Sequence, residues 1–175
     1  RVFLAAPTAP AAVRNGVVVV PDGRLRAMAR GEPVDAPASR PEDPAVLLTT
    51  SGSSGKPKTV VHSQRCLAHK ARQLSVLHGT TPDDAVLVPA PLSHMAGVLH
   101  AVMHPVGTGV KAVVMARWDP EAALELVRHE QVTMLFGPPI CALGIASAAG
   151  FTPEAVRSVR LVSSGATAIS EAYVH

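Results

Sequence analysis

An α/β fold with a largely parallel sheet flanked by helices is what the sequence predicts, and three observations carry it. Short β-branched runs alternate with longer helical patterns along most of the chain. Two of those helical patterns open on a start signature, Asp119-Pro120-Glu121 and Thr152-Pro153-Glu154. The run Ala45 to Thr49 is continuously apolar up to its final Thr, as in a strand covered on both faces.

Taken in order, Val2 to Leu4 and Val17 to Val20 read as strands. Pro21 to Pro44, with its prolines among small and charged residues, reads as an irregular linker. After the strand at Ala45, Thr59 to His62 resumes as a second strand, and Ser63 caps a helix that runs through His78 to Gly79. Ala85 to Val88 is a strand, and Leu92 to His104 is helix-like up to Pro105. Lys111 to Met115 is a strand, followed by the Asp119 helix to about Gln131 and the strand Thr133 to Phe136. A helix over Ile140 to Ala149, another start at Thr152 and a strand Arg160 to Ser163 complete the pattern. Two regions follow: residues 1–44, strands and a Pro-rich linker, and residues 45–175, a single α/β portion. The chain lacks an initiator Met and stops as a helix opens at Ala168, so it is expected to be part of a longer protein.

Composition narrows the function. Of 175 residues, 47% are hydrophobic and 17% charged, which excludes general disorder. Aromatics are 3%, so Val, Leu, Ala and Ile must build the core, and platforms for base stacking are missing. The net charge of +3 is scattered; its densest patch, Arg65, Lys70 and Arg72, reads as a solvated helix face rather than a nucleic-acid site. Cys66 and Cys141 lie far apart in apolar helical stretches and read as reduced, buried residues of a cytoplasmic protein. No apolar run is long enough to span a membrane.

One segment carries chemistry. Thr50, Ser51, Gly52, Ser53, Ser54, Gly55, Lys56, Pro57 and Lys58 lie between two strands. Glycines let backbone N–H groups point into one space, hydroxyls add neutral donors, and two lysines add charge, a combination suited to a polyphosphate. The Walker loop does not match: Thr50 stands where its first Gly belongs, and Pro57 follows Lys56 where a hydroxyl residue is required. No G-x-S-x-G elbow surrounds the serines, so none reads as a nucleophile. His100 and His104 are four apart on one helical face but lack a third ligand, and no metal site is expected.

The segment Thr50 to Ser63, TSGSSGKPKTVVHS, resembles the phosphate-binding loop of the AMP-forming acyl-CoA synthetase and adenylation-domain superfamily, T-S-G-[TS]-[TS]-G-x-P-K-G-V. It departs only at Thr59, where the family has Gly. DAVLVPAPLSHMAG, Asp84 to Gly97, is similar to the family's strand and P-L-x-H-x-x-G turn beside the acyl pocket. VRLVSSGA, Val159 to Ala166, resembles the strand leading to the G-G-A-P turn, which here reads Ser164-Gly165-Ala166-Thr167. The stretch Asp119 to Pro139 is similar to the family's helix, V-T strand and G-x-P segment, so the likeness runs from Ala45 to the end.

The resemblance implies the central portion of the large N-terminal domain of an ATP-dependent acyl-CoA ligase, an enzyme of fatty acid or related acid metabolism. It implies that residues 50–58 bind ATP, with Lys58 as the phosphate contact, and that His94, Met95, Gly97, Gly165, Ala166 and Thr167 border the acyl and adenine pocket. ATP and CoA are the implied co-substrates, with Mg2+ held by a Glu of a Y-G-x-T-E motif that this chain does not contain. The implied partner is a small-molecule carboxylic acid, with homodimerisation left open. Two alternatives stand beside this reading: an amino-acid-activating adenylation domain, and a non-catalytic nucleotide- or phosphate-binding module. The family's ribose Asp and lid Lys also have no counterpart in the chain, so the catalytic set is incomplete. Tested alone with ATP, magnesium and fatty and aromatic acids, the 175-residue chain is expected to release no pyrophosphate; sustained release would contradict the resemblance-based reading.

Overall fold

The computed structural model describes residues 2–6, 12–14, 17–21, 38–50, 58–115, 117–165 and 167–169. Contacts divide the chain into two compact units, Arg1–Ser39 and Arg40–His175. In the first, β1 (Val2–Ala6) pairs in parallel with β3 (Val17–Pro21), and β2 (Ala12–Arg14) joins β3 antiparallel.

The second unit begins with β4 (Pro44–Thr50) and β5 (Lys58–Ser63), an antiparallel pair whose register ends on Thr50 opposite Lys58. Both strands are largely exposed, Leu47 at 52%, which corrects the expectation of a strand buried on both faces. The reason is local: among the described residues β4 has a single strand neighbour, so its apolar run gains no cover by sheet burial. Helix α1 (Gln64–His78) follows, with the Ser63 hydroxyl accepting from the Cys66 N–H and Gly79 in the left-handed region at φ 57°. Carbonyls of Pro41 and Asp43 accept from the Arg65 and Gln64 amides, and Glu42 pairs with Arg65, so residues 41–43 are tied to this helix. Its buried face is Leu67, Ala71 and Leu74; Cys66 lies on the other side and is exposed, against expectation.

The remainder forms a four-stranded parallel sheet in the order β7-β6-β8-β9. Its strands are β6 (Ala85–Val88), β7 (Lys111–Val114), β8 (Met134–Gly137) and β9 (Leu161–Ser164). Every residue of central β6 is buried, because both faces of the sheet are covered. Leu87 and Val113 pack with Ala123, Leu124 and Val127 of α4 (Pro120–Glu130) and with Ile145 of α5 (Pro139–Ala146). Val86, Val88, Met134 and Phe136 form the other cluster, joined by Ala101 from the helical crossover between β6 and β7. Asp119 caps α4 by accepting from the Ala122 N–H, as its start signature predicts. The Thr152 signature yields only a 3-10 turn (Pro153–Val156), since β9 begins at Leu161.

That crossover corrects the expectation that Pro105 ends a helix. It consists of α2 (Met95–Val98), a π-helical segment (Leu99–Met103) and α3 (His104–Thr108), and Gly109 closes it at φ 78°. In a regular helix the Pro105 ring would collide with the carbonyl four residues back. The π segment, in which the His104 amide donates to the Leu99 carbonyl, widens the turn just before the proline and lets the helix continue.

Two groups of polar residues are built around buried side chains of this unit, Asp84 in one and Phe136 with His104 in the other. Asp84 accepts from Arg160 at both oxygens (Nε to Oδ1 2.8 Å, Nη2 to Oδ2 2.7 Å), from the Thr133 hydroxyl at 2.6 Å and from the Thr81 amide at 2.9 Å. The Arg160 hydrogen bond, aided by those from Thr133 and Thr81, holds its carboxyl far below the usual range despite burial. The second group surrounds Phe136. His100 stacks on its ring at 4.2 Å and 8°, His78 tilts against it at 5.0 Å, and His104 meets its edge at 6.1 Å. Burial pushes all three imidazoles below the ordinary histidine value, His100 to about 4.

These shifts predict two acid limbs of instability. The neutral imidazoles contribute stability that is full above about pH 6.5 and is lost as pH falls toward 4, because the unfolded chain binds the protons first. Asp84 contributes stability above about pH 4, lost below it as the carboxylate is protonated. Chemical denaturation across pH 3–8 is expected to show both, with His100→Phe flattening the upper limb. Asp84→Ala is expected to lower stability by about 3 kcal/mol at pH 7, the low end for a broken buried ion pair because Arg160 is partly exposed.

Candidate functional site

A cleft of about 640 Å³ opens beyond the carboxyl ends of β6, β8 and β9, where open parallel sheets bind their ligands. Each strand feeds it a turn. Beyond β6 come Pro89, Ala90 and Pro91 and then His94; β8 runs into Gly137 and Pro138; Gly165 and Thr167 follow β9. His100 and Phe136 form one wall, and Trp118, Ile140 and Cys141 another part of the lining. A second cavity, of about 440 Å³, lies at the opposite ends of β8 and β9 and is lined by Arg128, His129, Gln131 and Arg157. The first has the apolar lining with few polar groups expected of a small-molecule site.

The β6 turn is built tightly. The His94 amide donates to the Pro91 carbonyl at 2.9 Å, and His94 caps α2, its Nδ1 accepting from the Ala96 N–H at 3.1 Å. An accepting Nδ1 carries no proton, so the neutral ring holds its proton on Nε2 as a donor. Gly97 is buried against the same turn; a Cβ there would stand 2.1 Å from the Pro91 oxygen, so only glycine lets α2 approach this closely.

The sequence-derived residues are placed as follows. His94, Gly165 and Thr167 line the cleft. Met95 and Gly97 belong to α2 but stand outside the lining, Gly97 supporting the turn from behind. Ala166 and residues 51–57 lie outside the described residues. Thr50 and Lys58 face each other across the β4–β5 pair, the Thr50 hydroxyl donating to the Lys58 carbonyl at 3.4 Å, so residues 51–57 join two adjacent strand ends. His104 has Thr80 Oγ1 at 3.1 Å from Nε2, and among the described residues no three His, Cys, Asp or Glu side chains converge on a metal position. Sequence reasoning missed His100, Trp118, Phe136 and Cys141 as lining residues. The available signal was that each stands at or just beyond a strand's carboxyl end or in the helices that follow. Burial raises the Cys141 thiol above its ordinary value, so it is held as a neutral thiol.

Known proteins resemble the chain in sequence and in fold. The chain is 31% identical over 160 residues to a feruloyl-CoA synthase of Amycolatopsis sp, covering 91% of this chain and 32% of that protein. It is 27% identical over 135 residues to indoleacetate–CoA ligase of Aromatoleum aromaticum, covering 77% of this chain and 26% of that one. ATP-bound MatB from Rhodopseudomonas palustris superposes with TM-score 0.72 at 27% identity, over 84% of this chain and 30% of that one. The N-terminal domain of FACL13 from Mycobacterium tuberculosis shares the fold, with TM-score 0.77 at 23% identity over 89% of this chain and 39% of that one. The chain thus spans about a third or less of the length of the curated relatives compared. The family profile described as AMP-binding enzyme matches residues 5–175. With β6, β8 and β9 delivering the His94 and Gly165 turns to one cleft, the chain belongs to the AMP-binding enzyme family.

Proposed function

We propose that the protein containing this chain activates a carboxylic acid with ATP and transfers the acyl group to the thiol of CoA. The observation that carries this reading is the convergence of two motif turns distant in sequence, Pro89 to His94 and Gly165 to Thr167, on one largely apolar cleft. In the first step a carboxylate oxygen attacks the α-phosphorus of ATP, and the bond to pyrophosphate breaks. In the second, the CoA sulfur attacks the acyl carbon and AMP leaves. Both steps bring anions together, so fixed donors and cations must hold them. Residues 50–58 supply backbone amides, hydroxyls and Lys58 for the phosphates; His94, a lining residue whose Nδ1 is taken by the Ala96 amide, has Nε2–H left to donate to the carboxylate. Magnesium would enter with ATP and a downstream Glu, and no step here depends on a metal ligand from the described residues.

The relatives' names support a CoA acceptor and an organic acid: feruloyl, indoleacetate and 3-hydroxybenzoate among them. Amino-acid activation is disfavoured because, among the described residues, no acidic side chain lines the cleft to pair with an ammonium group. A cytoplasmic location agrees with the two free cysteines.

The test uses the protein expressed from its whole coding sequence. Lys58→Ala is expected to lower kcat/KM for ATP about 10- to 100-fold in a pyrophosphate-release assay, the loss of one charge-assisted hydrogen bond. Lys56→Ala is expected to change it less. Unchanged kinetics in Lys58→Ala would remove its phosphate role, and ATP binding without pyrophosphate release would favour a non-catalytic module.

A further inference from the structure

We infer that His100 is a specificity-determining residue of the cleft, selecting an aromatic monocarboxylic acid whose ring carries a hydroxyl within hydrogen-bonding reach of the imidazole. The inference rests on the ligase reading and adds the substrate class.

Among the described residues, the cleft lining contains no Asp, Glu, Lys or Arg. Against these residues a second acid group or an amine on the substrate would be desolvated without a counter-charge, which disfavours it. Flat surfaces dominate one wall: His100 lies parallel to Phe136 at 4.2 Å and 8°, with Phe136 itself buried, and Trp118 contributes a further ring to the lining. Such walls favour a planar guest by offset stacking and edge contacts over a flexible chain.

His100 is the polar exception on that wall. Its ring is partly exposed to the cleft, whereas its Nδ1 is buried with no hydrogen-bond partner among the described residues. The edge left for an occupant is therefore the one opposite, which bears Nε2. Burial, and then the neighbouring His104, His78 and Lys70, hold the ring neutral well below pH 7, so it offers a hydrogen bond and no charge. A hydroxyl on the guest pairs with that edge. A guest lacking it fills the same space and leaves the imidazole unpaired in apolar surroundings, which is how a polar group in an apolar site discriminates. The π-helical segment sets this placement: Leu99 to Met103 carries His100 within the widened turn, against Phe136.

The experiment measures pyrophosphate release and calorimetric binding with the full-length protein on matched pairs: benzoate and 4-hydroxybenzoate, phenylacetate and 4-hydroxyphenylacetate, cinnamate and 4-hydroxycinnamate. Wild type is expected to favour the hydroxylated member of at least one pair by about tenfold in kcat/KM. His100→Leu is expected to abolish that preference through KM, with the unhydroxylated acid used as well as before or better. His100→Gln, which keeps a donor and an acceptor, is expected to restore part of it. If His100→Leu does not fold, judged by circular dichroism, the wild-type ratios and His100→Gln decide. Release with no hydroxyl preference in any pair, or a preference unchanged by the substitutions, overturns this inference alone. Turnover of decanoate with no aromatic acid accepted overturns it as well. No release with any acid overturns the ligase reading and this inference together.

Discussion

The parallel sheet depends on one ion pair at its amino-terminal edge. Asp84 directly precedes β6 and Arg160 directly precedes β9, and the pair closes across 76 residues of chain. Thr133, just before β8, donates to the same carboxylate, and its oxygen also accepts from the Ala85 amide. Arg160 also donates to the carbonyls of His78 and Gly79 at the end of α1. One guanidinium thus fixes where three strands start and where the first helix stops. The carboxylate is satisfied at both oxygens, which is what makes a buried charge tolerable there.

Fixing the strand starts fixes the strand ends, and the cleft is made of what lies beyond those ends. Parallel pairing brings Gly137 level with Ser164, so the turns after β8 and β9 face the same space as the Pro89 turn after β6. The side chains alternate strictly: Leu87 and Val113 go to the α4 side, while Val86, Val88 and Phe136 go to the crossover side. Phe136 therefore reaches the three imidazoles, and one of these, His100, becomes part of the cleft wall. This part of the core accepts histidine because neutral imidazoles pack as flat rings against an aromatic.

Fold likeness and chemical likeness separate in this family. The FACL13 domain matches the backbone closely at an identity that speaks for architecture alone. What varies on a shared sheet is the set of side chains that the turns and crossover helices deliver to its carboxyl end, and specificity resides in that set.

Local signals were legible in the sequence because they act over one turn of chain. Ser63, Gly79 and Asp119 cap their helices as their residue types demand. Thr50 and Lys58 bracket a Gly/Ser segment that the strand register brings end to end. Family motifs pointed to His94 and the Gly165 turn as residues of one region, and the cleft contains both. The sequence could not show that Pro105 sits inside a continuous helix, since propensity takes no account of a π turn that makes room for its ring. Nor could it show that the apolar run in β4 stays exposed, because cover is supplied by neighbours and not by composition. Asp84 with Arg160, and His100 with Phe136 and Trp118 around one cavity, exist only once the strands take the order β7-β6-β8-β9. Each joins residues far apart in the chain, and only folding sets the distance between them.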